Sequence, residues 1–98
     1  MHPDAAAMLA RREEILSGIR RILIDSLDVR REPDEIDPDT PLFGSGLGLD
    51  SVDAIELIVC LEAVFAVTFP SEAVGRSFLR TVNTLVDFVL WTREGGVT

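Results

Sequence analysis

The chain has 98 residues, 47% of them apolar and 27% charged, which suits one globular domain with its own core and leaves no room for a second. The formal net charge is −8. The acids crowd into the stretch between Glu32 and Gly75, where Lys and Arg are absent, and all nine basic residues are arginines outside it. Such a field repels nucleic acid and attracts basic protein surfaces, although a solvated acidic face also serves solubility alone. The single cysteine, Cys60, excludes an internal disulfide and a Cys-based zinc site. No apolar run approaches the roughly 20 residues that cross a bilayer. The alanine-rich N-terminus meets Arg11, Arg12, Glu13 and Glu14 too early for a secretory segment, so a cytoplasmic protein is expected.

In chain order, Asp4 follows Pro3 as a helix cap, and Ile15, Leu16, Ile19, Ile22, Leu23 and Leu27 recur at helical spacing. This predicts an amphipathic first helix over about residues 5–28, with Gly18 a local weakness. From Arg30 to Gly48 the chain is rich in Pro, Asp and Gly, a long loop whose Leu42, Phe43, Leu47 and Leu49 are expected to fold partly onto the core. A second helix is predicted from Ser51 to about Ala66, a short third over about Ser71–Arg76 after Pro70, and a fourth capped by Thr81. Val82, Leu85, Val86, Val89 and Leu90 form the apolar face of the fourth. Nothing alternates with period two, and repeats are absent. The expected fold is all-α: one domain over 1–98, a four-helix bundle with its core at about 5–92 and frayed termini.

The second helix is apolar on two sides. At about 100° per residue, Ala54, Leu57, Ile58, Leu61 and Phe65 cluster as a core stripe. Val52, Ile55 and Val59 fall nearly opposite, flanked by Asp53, Glu56 and Glu62. Either the long loop covers this second stripe through Leu47 or Leu49, or it is an exposed patch that meets other proteins.

The junction "GLGLDSVDAIEL", Gly46 to Leu57, delivers Asp50-Ser51 from a glycine-rich loop into a helix start. No strand precedes Gly44–Gly48 and no Lys follows, so neither a dinucleotide fingerprint nor a P-loop fits. A calcium loop opening at Asp37 would place Leu42 and Gly48 where Gly and Glu belong. Around Ser45 and Ser51 the flanking glycines of a hydrolase elbow are missing. The only histidine, His2, is terminal, and Asp50 is adjacent to Ser51 in sequence, the wrong partner for a triad. No catalytic residue and no metal site are therefore expected. A prominent, unactivated serine at a helix N-terminus suits a hydroxyl on which another enzyme acts, and the helix end accommodates a phosphate. Read alone, Asp50 or Ser51 is also simply an N-cap.

Leu49-Asp50-Ser51-Val52-Asp53-Ala54-Ile55-Glu56-Leu57 closely resembles the Asp-Ser-Leu attachment motif of acyl carrier proteins. Phe65-Ala66-Val67-Thr68-Phe69-Pro70 is similar to that family's turn from helix II to helix III, and Thr81-Val82 through Val89 to its helix IV. The resemblance covers about Asp37 to Trp91. It implies that a phosphopantetheinyl transferase, using coenzyme A and magnesium, attaches 4′-phosphopantetheine to Ser51, with Asp50 supporting the attachment. The arm then carries acyl groups as thioesters. Partners would be met by Val52, Ile55 and Val59 as apolar contacts and by Asp53, Glu56 and Glu62 as acidic ones. Catalysis would belong to those partners: the transferase, an acyl-loading ligase, a ketosynthase, a reductase or an acyltransferase. A monomer is expected. Val52 stands where leucine is usual, and the Gly-Leu-Gly-Leu-Asp-Ser form resembles carriers of specialised bacterial pathways. Two other readings stay open: a carrier of aminoacyl or aryl groups, and an unmodified carrier-like adaptor.

Overall fold

The computed structural model describes residues 3–69 and 71–93, so the expected fraying of the termini, His2 and Pro70 lie outside the described residues. The described chain is all-helical: α1 (Pro3–Asp25), a 3-10 turn (Pro33–Glu35), α2 (Ser51–Phe65), α3 (Glu72–Phe78) and α4 (Val82–Arg93). Only isolated β-bridges accompany these helices. α1 packs on both α2 and α4, and α3 packs on α4.

α1 stops at Asp25, three residues short of the expected end. The Leu27 amide donates to the Ile22 carbonyl at 3.2 Å, and Asp28 adopts a left-handed φ of 58°, which the helix cannot continue through. Likewise α2 closes on Ala66 at φ 54°, a left-handed C-cap. α3 runs two residues past the expected Arg76. α4 begins as read: the Thr84 amide donates to the Thr81 hydroxyl at 3.2 Å, and the Thr81 amide to the Thr84 hydroxyl at 2.9 Å.

The core joins Ile15, Ile19, Ile22 and Leu23 of α1 to Leu57, Leu61 and Phe65 of α2 and to the buried face of α4. Ala54 and Ile58, expected in the same stripe, are only half-buried. Gly18 serves packing and is no mere weakness. A β-carbon there would lie 2.8 Å from Phe65 Cζ, so the missing side chain is what lets the ring approach α1. Below α3, Phe88 is fully buried and stacks on Phe69 with ring centroids 3.9 Å apart, and Phe78 closes on it at 5.2 Å.

The long loop is fastened at several points. Both Nε and Nη2 of Arg20 donate to the Ile36 carbonyl, at 3.1 and 2.8 Å, which brings the buried Ile36 against α1. Leu42 is fully buried and its amide donates to the Arg80 carbonyl at 2.9 Å. The Asn83 amide donates to the Pro38 carbonyl at 2.9 Å, and Asn83 Nδ2 donates to Asp39 Oδ1 at 2.6 Å. Loop and α4 thus share backbone hydrogen bonds, so the approach to α2 is held by the bundle itself.

Candidate functional site

The turn into α2 is built from three anchors. A β-carbon on Gly46 would sit 1.9 Å from the Pro41 carbonyl oxygen, a gap only glycine fits. Gly48 takes φ 73°, which turns the chain back toward the core. Leu49 is then buried, with its amide donating to the Leu42 carbonyl at 3.0 Å. With Leu49 pinned inside, Asp50 and Ser51 emerge at the surface.

Asp50 is the N-cap of α2. Asp50 Oδ1 accepts the Asp53 amide at 2.9 Å, and Asp53 Oδ2 accepts the Asp50 amide at 3.1 Å, a reciprocal capping box. The cap thus falls to Asp50 and leaves Ser51 free of that duty. Ser51 is the first helical residue, it is exposed, and its hydroxyl engages no described residue. The Ser51 and Val52 amides also have no hydrogen-bond partner among the described residues. Two unpaired amides and the positive end of the helix dipole beside the hydroxyl suit an anionic phosphodiester there. Cys60 lies nine residues on, about 14 Å along the helix, too far to act on Ser51.

Beside Ser51 an open, mostly apolar groove of about 450 Å³ is lined by Phe43, Leu49, Asp50, Ala54, Arg76 and Leu79. A neighbouring recess of about 580 Å³ extends it past Ile55, Ile58, Phe69 and Gly75. A larger hollow of about 760 Å³ lies between α1 and the 3-10 turn, where Arg20, Arg21 and Arg31 mix with Glu14, Asp25, Glu32 and Asp34. It shares no residue with the Ser51 groove. Its mixed charges favour neither anion nor cation.

The second stripe of α2 is uncovered. Val52, Ile55 and Val59 are 69%, 66% and 57% exposed, so neither Leu47 nor Leu49 roofs them. The three acids expected beside them do not behave alike. Glu56 is exposed, whereas Asp53 is half-buried in the capping box. Glu62 is also half-buried, and its Oε2 accepts the Phe69 amide at 3.1 Å. That bond ties α2 to the segment leading into α3, and no spacing rule links residues seven apart across a turn. Sequence reasoning also missed the exposed Leu9 and Val64, which lie off the stripe.

The all-α bundle thus presents an exposed serine, with no activating partner among the described residues, at the N-terminus of α2 beside an apolar groove. A family model described as "Phosphopantetheine attachment site" matches residues 17–89. The chain is also 37% identical over 76 residues to an acyl carrier protein of Thermosynechococcus vestitus, covering 78% of this chain and 88% of the relative. The chain belongs to the acyl carrier protein family, whose prosthetic group is 4′-phosphopantetheine.

Proposed function

We propose that Ser51 is the attachment serine, and that the protein carries acyl intermediates of fatty-acid, polyketide or related specialised lipid biosynthesis between partner enzymes. The observation that carries this reading is the division of labour at the α2 start. Asp50 performs the capping, so the Ser51 hydroxyl stands exposed and unengaged above two free amides. As the phosphodiester forms, those amides and the helix dipole stabilise its charge. Asp50 keeps Oδ2 outside the capping bond, available to a metal or cofactor brought by the transferase. When bound, the arm supplies a terminal thiol that holds the acyl group as a thioester.

The protein itself performs no catalysis in this reading. In a phosphopantetheinyl transferase the Ser51 hydroxyl would lose its proton and take the phosphopantetheinyl group from coenzyme A, whose pyrophosphate bond breaks to release adenosine 3′,5′-bisphosphate. Ligase, ketosynthase, reductase and acyltransferase partners then meet the α2 face around Val52, Asp53, Ile55, Glu56, Val59 and Glu62. A cytoplasmic location and a monomeric state accompany this reading; among the described residues no helix is long and apolar enough to cross a membrane. Intact-mass and peptide mapping of the protein purified from its native host tests it. A mass increase on the Ser51 peptide, carrying an acyl group, is expected. A population that is unmodified throughout growth would favour the adaptor reading, and an aminoacyl or aryl load would move the cargo class.

A further inference from the structure

The groove beside Ser51 has apolar walls, yet it is not without charge. Ser51 lines two adjoining recesses, and among the described residues one cation, Arg76 of α3, lines both. Arg76 is exposed and sits in the last turn of α3. No other Lys or Arg stands between Arg31 and Arg80. Asp50 and Glu62 line one recess each and keep their charge, so an anion at Ser51 meets repulsion there as well as the unpaired amides of the first turn of α2.

A phosphodiester on the Ser51 oxygen carries one negative charge, and the Ser51 and Val52 amides offset only part of it. That charge would be added to a chain already at −8, next to Asp50. A guanidinium in the same groove opposes the repulsion, and its planar fork matches two phosphate oxygens at once. Arg76 has an interaction within the chain as well. A guanidinium has five N–H donors, however, so one internal contact leaves donors for a second acceptor. Phe43, Leu49, Ala54 and Leu79 wall the groove, and such walls screen a charge pair less than open water does.

We infer that Arg76 anchors the phosphodiester of the arm, so that α2 supplies two amides and α3 one guanidinium to the same anion; this rests on the reading of Ser51 as the attachment serine. The arm then leaves Ser51 on the α3 side of α2. Loading also gives α3, a seven-residue helix packed on α4, a tie to the start of α2.

The test is side-chain nitrogen and phosphorus NMR of the full chain before and after loading by a broad-specificity phosphopantetheinyl transferase with coenzyme A and magnesium, the metal being removed before measurement. Solvent exchange of the Arg76 Nε–H in the unsubstituted protein is expected to slow about two- to fivefold on loading, the protection that a partly exposed ion pair gives. Most of that protection should be lost between about 50 and 300 mM NaCl. The phosphorus resonance of the loaded protein is expected to move in Arg76→Gln and to stay nearer the parent in Arg76→Lys. It should not move in Arg80→Gln, whose arginine lines neither recess. Circular dichroism checks the fold of each variant, and the Nε–H exchange needs no variant at all. Unchanged exchange on loading, with one phosphorus resonance shared by the parent and Arg76→Gln, would overturn the anchor and leave the attachment reading intact. Equal movement in Arg76→Gln and Arg80→Gln would reduce the effect to the overall field of the chain and overturn the anchor too. An unsubstituted chain that takes no arm would overturn the attachment reading and this inference together.

Discussion

Beneath the Pro41 carbonyl, the position of Gly46 admits no β-carbon. Gly46→Ala must push apart two backbone segments, not a flexible side chain, and is expected to cost about 3 kcal/mol, the upper end for overpacking. A urea melt reads this directly, and a change under about 0.5 kcal/mol would show that the loop yields freely there. Asp50 has two tasks that substitution can separate. Asn caps as well as Asp, so Asp50→Asn is expected to hold stability within about 0.5 kcal/mol, whereas Asp50→Ala costs about 1 kcal/mol. On the proposed role of Asp50 in attachment, both should slow the transferase alike, because both remove its carboxylate. Normal modification of Asp50→Asn would reduce Asp50 to a cap.

Among the elements, α2 has two apolar faces with different energetic consequences. Leu61 is fully buried and Phe65 nearly so, and Leu61→Ala or Phe65→Ala is expected to cost about 2–5 kcal/mol. Val59→Ala, on the exposed face, should stay near 0.5 kcal/mol or below, as surface changes usually do. Equal destabilisation by Leu61→Ala and Val59→Ala in urea melts would show the faces misassigned. Where α2 meets α1, Gly18→Ala gains about 1 kcal/mol of helix propensity but drives a methyl into the Phe65 ring. With an overpacking cost of about 1–3 kcal/mol, a net loss is expected. A Gly18→Ala protein more stable than the parent would mean that the ring moves aside freely. The two faces of α2 were legible because helical periodicity sorts side chains by angle alone. The role of Gly18 was not, since its reason is a ring on another helix. The end of α1 was also misread, because Leu27 continues the apolar spacing while the left-handed turn at Asp28 leaves no mark in it.

At the scale of the molecule, the described helices and the fastened loop act as a mount for one turn. The sequence shows the composition, the four helices and the Asp-Ser junction, each a local pattern. It does not show that Ile36, set between Glu35 and Asp37, is buried under the hold of Arg20, nor that Phe69 and Phe88 stack. Both depend on contacts between distant segments. The loop, α1 and α4 converge on holding Leu49 in and Ser51 out. The measurement that tests this most directly is intact mass after incubation with coenzyme A, magnesium and a broad-specificity phosphopantetheinyl transferase, for the parent, Ser51→Ala and Ser45→Ala. One phosphopantetheine mass is expected on the parent and on Ser45→Ala, and none on Ser51→Ala with its helical circular dichroism preserved. Modification that survives Ser51→Ala, or that vanishes with Ser45→Ala, would contradict the assignment of Ser51.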